Sequence, residues 1–225
     1  GLVMDNFALY LLALIIPLIA QIYINVCHDK YRRIENKKKL TGFEVARKIL
    51  DSNGLKDIYI VETKGNLTDH YDPRRKTVKL SSDVFHGDSI ASMAVAAHEC
   101  GHAIQDKEGY IFMKIRSFIF PVVSFGTKIA YVILLIGLIA DLMNLIWAGI
   151  LLVGLGLIFR LVTLPVEINA SKRAMVELEN NVGAIDSDIT GTKTMLTAAA
   201  LTYVAGVLSS ALEILRLILI FSDRD

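Results

Sequence analysis

The chain has 225 residues, of which 53% are hydrophobic, with a mean hydropathy of +0.48 and a formal net charge of +1. That is too apolar for an ordinary soluble domain and too neutral for a nucleic-acid binder, so part of the chain is expected in a membrane and no nucleic-acid partner is expected. The two cysteines, Cys27 and Cys100, make no disulfide framework and fit a reducing compartment.

The first apolar stretch, Phe7 to Val26, carries no charge and is long enough to cross a bilayer, although Pro17, Gln21 and Asn25 weaken its inner half. It lacks the basic leader and cleavage pattern of a signal peptide, so a retained transmembrane helix is expected over 5–26. The run KYRRIENKKK, residues 30 to 39, then holds six Lys or Arg and a single Glu. Such a run fixes orientation, which puts residues 27–117 on the cytoplasmic side; contact with anionic lipid headgroups is its secondary reading.

From Leu40 the patterning turns globular. Thr41 and Glu44 in TGFE form a capping box for a helix to about Ser52, ended by Asn53-Gly54. DIYIVET, from Asp57 to Thr63, reads as a strand, Gly65-Asn66 as a turn, and RKTVKLS, residues 75 to 81, as a second strand. The latter puts Thr77, Lys79 and Ser81 on one face and Val78 and Leu80 on the other. Thr77 to Ser81 is expected to be an edge that can take an extended peptide. LTDHYDPR, just before it, contains an Asp72-Pro73 turn. Its His70 and Tyr71 are candidates for a substrate-contacting or oxyanion role.

Next comes MAVAAHECGHAIQ, residues 93 to 105. With five His and nine Glu in the chain, chance supplies only about 0.004 matches to H-E-x-x-H. A helix advances 100° per residue, so His98 and His102 lie one turn apart on one face and can reach one tetrahedral ion, with Glu99 beside them. Asp88 or Ser89 can cap this helix, Ala91, Ala94, Ala96 and Ala97 favour it, and Gly109 lies past its end. The bland reading is a core helix with two satisfied histidines, and Cys100 reads as a small packing residue.

Two further spans, about Pro121 to Ala140 and Leu142 to Phe159, form a transmembrane hairpin within 118–164. The segment LPVEINASKRAMVELEN, residues 164 to 180, continues the second of these as a helix past the membrane surface, in a cytoplasmic segment over 165–193. A last span over 194–221 carries Glu213 and Arg216, an i,i+3 pair that can neutralise itself.

A catalytic zinc takes three protein ligands and one open position. Candidates for the third are His28, His70, His86 and the acidic residues after the hairpin. Among the latter, Glu167 lies roughly 10 Å beyond Arg160 at 1.5 Å per residue, whereas Glu177 and Glu179 look like a solvated helix surface. The rival for Glu167 is an interfacial ion pair with Arg160 or Lys172.

Taken together, LTGFEVARKILDSNGL, LTDHYDPRRKTVKLS, SIASMAVAAHECGHAIQ, LPVEINASKRA and LTAAALTYVAGVLSSALEILRLILIF resemble the bacterial YugP-like neutral zinc metallopeptidase family of membrane proteins. The resemblance implies zinc on His98, His102 and Glu167, with Glu99 as general base. It also shows a departure, since Asp is usual in the family two residues after the ligand Glu and here Asn169 stands there.

The expectation is therefore an α+β, mainly helical membrane protein with about four transmembrane helices and a small zincin-like domain. Its activity is expected to be that of a zinc-dependent, gluzincin-like endopeptidase of the bacterial cell membrane, with peptide or protein substrates and membrane lipids as partners. The rivals are an intramembrane-type zinc protease and a non-catalytic membrane protein with a structural metal. Against the first, the apolar run from Ile90 to Ile104 is too short to span; against the second, structural sites are closed by four protein ligands.

Overall fold

A computed structural model describes residues 1–223, apart from the side chain of Leu2. In chain order it contains α1 (Leu2–Arg32), α2 (Gly42–Ser52), β1 (Tyr59–Thr63), β2 (His70–Asp72), β3 (Thr77–Ser81), α3 (Ser82–His86), α4 (Ile90–Glu108), α5 (Ile111–Ile139), α6 (Met143–Glu177), a π-helical turn over Leu178–Val182, and α7 (Asp186–Ser222). This is a mainly helical α+β membrane protein: among the described residues four helices, within α1, α5, α6 and α7, are long and apolar enough to cross a bilayer. The chain divides into two compact units, one of Gly1–Ile22, Ile111–Pro165 and the stretch from Leu201 on, the other of Tyr23–Tyr110 and Val166–Ala200.

The first unit is helical and apolar. Its α5–α6 hairpin closes tightly because Gly137 and Gly149 carry no side chain: a Cβ on Gly137 would lie 2.9 Å from the Ile146 backbone nitrogen, and one on Gly149 would lie 2.7 Å from Leu134. Leu134, Ile146, Ile150, Leu217 and Phe221 form its buried cluster. The expected i,i+3 pair forms, with Arg216 donating to Glu213 at 3.0 and 2.8 Å.

The second unit is built on α4. Helix α2 starts with the capping box read from the sequence, Thr41 Oγ1 accepting from Glu44 N and Glu44 Oε1 accepting from Thr41 N, each at 3.1 Å. It packs fully buried Val45, Ala46, Ile49 and Leu50 onto α4, where Cys100 donates its S–H to the Ala46 carbonyl at 3.7 Å. Of the two caps proposed for α4 it is Ser89 that accepts from Ser92 N, at 3.0 Å. Gly109 ends the helix at φ 67°, a conformation glycine adopts without strain.

The sheet corrects the sequence reading. Its order is β1-β3-β2, with β1 parallel and β2 antiparallel to β3. Thr77 to Ser81 is thus the central strand, not an edge, and its polar positions Thr77 and Ser81 are buried along with Val78 and Leu80. The physical reason is β2: His70–Asp72, hidden beside a turn sequence, folds back through a bend in which Asp72 Oδ1 accepts from Arg74 N at 3.0 Å and Arg75 N at 3.2 Å. It thereby covers the side of β3 that would have been free, and β1 and β2 are the edges.

A candidate metal centre between α4 and α6

The face of α4 that carries His98 and His102 meets the stretch of α6 just after Pro165. Approach is close because Gly101 has no side chain: a Cβ there would sit 2.3 Å from the Ala170 carbonyl oxygen. At this crossing His98 Nε2 lies 2.9 Å and His102 Nε2 lies 3.2 Å from one oxygen of Glu167, Oε2. The ligand atoms of the three residues all fall within 4.8 Å of one another, a spacing that suits a shared cation. Glu99 is buried beside them.

The hydrogen bonds behind the cluster fix which nitrogen of His102 faces inward. Arg173 has only donors, so Asn169 Oδ1 must accept from its Nε, at 2.7 Å. The same oxygen and the Val166 carbonyl, at 3.0 and 2.9 Å, require Gln105 Nε2 to donate to both. Gln105 Oε1 is then an acceptor, and at 2.8 Å it takes the proton of His102 Nδ1. His102 Nε2 is left to turn its lone pair toward a metal, and the order of groups imposes this tautomer. On the other side, His98 Nδ1 lies 2.9 Å from Ser171 Oγ, which can accept its proton in the same way.

Electrostatics also call for a cation. Burial pushes the Glu167 carboxyl up, but hydrogen bonds from His102 and His98 outweigh it and hold the group well below the usual carboxylate range. Burial pushes His102 down, yet the hydrogen bond to Glu167 and the charge of Glu99 outweigh it and raise the imidazole. Glu99 is raised, first by burial, against the lowering effect of His98 and His102 and with the carboxylates of Glu167 and Asp69 adding to the rise. The residues present fit a divalent metal of the zinc type: two imidazole nitrogens with their far nitrogens engaged, one ionised carboxylate, and no fourth protein ligand in the group.

The other candidates lie elsewhere. His86 Nε2 pairs with Glu62 at 3.1 Å on the surface, His70 Nδ1 sits 2.7 Å from the Thr68 carbonyl, and His28 lines a separate cavity with Asp69 and Ser81. Tyr71 is buried and donates to Asp106 Oδ2 at 2.6 Å, which ties β2 to the end of α4. Glu177, expected on a solvated surface, is buried and accepts from Asn181, where α6 passes into the π-helical turn that packs on α2; Glu179 is exposed as expected. Gln105 and Ser171 were missed by the sequence reading, although the signal was there: Gln105 is three residues after His102 and Ser171 four after Glu167, the spacings that put two side chains on one helix face.

Residues 6–222 match the model of a protein family described as "Putative neutral zinc metallopeptidase". A Bacillus subtilis (strain 168) protein named "Putative membrane protease YugP" is 44% identical over 207 residues, which cover 92% of each chain. No solved structure matches the chain.

Proposed function

Since the chain belongs to this neutral zinc metallopeptidase family, matched from residue 6 to residue 222, we propose that it is a zinc-dependent endopeptidase of the gluzincin type. In this reading His98 Nε2, His102 Nε2 and a Glu167 carboxylate oxygen hold the metal and Glu99 is the general base. The observation that carries it is the convergence of both Nε2 atoms on Glu167 Oε2, at 2.9 and 3.2 Å, with the far nitrogens of both rings engaged.

Zinc bound there supplies the positive charge that polarises a peptide carbonyl and acidifies water. The chain's own residues do the rest. Glu99 accepts a proton from the water that adds to the carbonyl carbon, and returns it to the leaving nitrogen as the C–N bond breaks; the products are a carboxylic acid and an amine. Its raised affinity for a proton, set by burial, suits a group that must both take and give. Gln105 and Ser171 keep the imidazoles in register, and burial of the cluster excludes bulk water.

The basic run at 30–39 supports a cytoplasmic active site in the bacterial cell membrane. Residues 27–110 and 166–193, which carry the proposed ligands, fall in one compact unit, as an active site drawn from both requires.

Metal analysis and peptide hydrolysis test the reading together. The purified chain is expected to hold about one zinc. The His98→Ala, His102→Ala double variant loses it, Glu167→Gln weakens binding, and exposed Glu179→Gln changes nothing. Glu99→Gln keeps zinc while hydrolysis drops by about 10²- to 10⁴-fold. Full zinc in the double variant refutes the metal site, and wild-type hydrolysis by Glu99→Gln refutes the base.

A further inference from the structure

A cavity of about 300 Å³ lies between the second unit's stretches of α6 and α7. Its lining is mostly apolar and includes Ile168, Met175 and Leu196, with Lys172 and Lys193 at the rim. Three features tie it to the metal centre. Ile168 directly follows Glu167. Ser171 lines the cavity and also meets His98 Nδ1 at 2.9 Å, so a ligand residue and the cavity wall share a side chain. And His98, the residue that Ser171 meets, is the most exposed of the three proposed ligands, its side chain 16% exposed against 8% for His102 and 9% for Glu167.

The lysines define the second half of the ligand. Both are exposed, and neither forms an ion pair with a carboxylate among the described residues. Two like charges at the mouth of an apolar cavity attract a carboxylate and disfavour a cation. The volume stands at the low end of ligand pockets, enough for one or two side chains and not for a folded partner. We propose that this cavity is a substrate subsite, which seats an apolar side chain of the peptide while Lys172 and Lys193 select a carboxylate beside it, from an acidic residue or from the peptide's own C-terminus. The subsite rests on the peptidase reading above.

The test uses the full-length, zinc-loaded protein in lipid nanodiscs and quenched peptides that share one large apolar residue. The neighbour of that residue is Glu, Ser or Lys, and each peptide is made with a free and an amidated C-terminus. The wild type is expected to prefer the Glu peptides. A preference for Glu over Ser that survives amidation assigns the carboxylate to the side chain, whereas a preference for free over amidated peptides whatever the neighbour assigns it to the terminus. In the Lys172→Glu, Lys193→Glu double variant, kcat/KM for the acidic peptide falls roughly tenfold and that for the Lys peptide rises, as expected for reversal of rim charges. The zinc content stays at the wild-type value. Ala200→Trp, which fills the cavity, lowers cleavage of the large apolar peptide but not of its alanine counterpart. Unchanged charge preference in the double variant, or equal loss for all peptides in Ala200→Trp, overturns the subsite.

Fluorescence anisotropy of the labelled acidic peptide on the same proteins supplies a readout independent of turnover. Weaker binding to the double variant supports the subsite even if no peptide is cut, in which case it is the peptidase reading that fails. Equal binding overturns it. Binding of anionic phospholipid vesicles that alone responds to the charge reversal overturns it as well, in favour of a lipid site.

Discussion

Replacing Gln105 by leucine probes the metal centre without touching a ligand. Gln105 is fully buried and makes three hydrogen bonds, accepting from His102 Nδ1 at 2.8 Å and donating to the Val166 carbonyl at 2.9 Å and to Asn169 Oδ1 at 3.0 Å. Leucine is of similar size, so packing is nearly kept, but the buried His102 N–H loses its partner, while the Val166 carbonyl, inside α6, keeps its helical partner. Asn169 still has Arg173. One buried polar group left unmatched costs about 1 to 3 kcal/mol, with the lower half expected because the site can relax. The metal is affected separately. Without its acceptor the imidazole can rotate or change tautomer, and loss of such a partner lowers metal affinity about 10- to 100-fold, which is about 1.4 to 2.7 kcal/mol. Competition against a chromophoric zinc chelator measures the second effect, and thermal unfolding with and without zinc measures the first. The expected pattern is a lower Tm in both conditions and a larger drop with zinc present. Wild-type zinc affinity in Gln105→Leu refutes the claim that the arginine-to-imidazole chain of hydrogen bonds holds His102 in place.

Two further outcomes follow from packing. In Gly101→Ala the new methyl meets the Ala170 carbonyl oxygen at 2.3 Å, which is backbone and cannot swing away, so α4 and α6 must separate; a loss of about 1 to 3 kcal/mol and reduced zinc content are expected by thermal unfolding and metal analysis, and a variant matching the wild type in both would contradict the close crossing. Cys100 is fully buried against α2, so a maleimide should label it only after unfolding, as read by mass spectrometry, and rapid labelling of the native protein would show that the α2–α4 packing opens.

What the sequence made legible was local. The capping box at Thr41, the Ser89 cap and the Gly109 stop sit within a few residues of the helices they bound, and their chemistry is written in residue type. The H-E-x-x-H pair is legible for the same reason, because helical spacing alone puts His98 and His102 on one face. Glu167 was reached through the length of α6 and the family resemblance, and the structure brings it to both imidazoles. The sheet order was not legible. Strands of five, three and five residues leave register to contacts distant in sequence, such as Asp69 accepting from Ser81 N at 2.7 Å, and nothing near His70–Asp72 announces that it will pair with β3. Burial of Glu177 was illegible because it lies beside a π-helical turn that packs on α2, more than a hundred residues away in the chain. The Asn169 departure gains a role in the structure: its oxygen accepts from both Gln105 and Arg173, work that asks for an acceptor and not for a negative charge.

His102 and Glu167 are 65 residues apart in the chain, and between them lie the whole of α5 and the apolar first part of α6. During synthesis the histidines leave the ribosome well before the glutamate, which in the proposed topology reaches them once the intervening hairpin has been threaded into the bilayer and has returned. In that reading, a chain that stalls or fails to insert carries two histidines and Glu99 but not the third ligand. In the peptidase reading proposed above, competence is thus coupled to membrane integration by the order of the residues, a latency that keeps an unfinished molecule from cutting its surroundings.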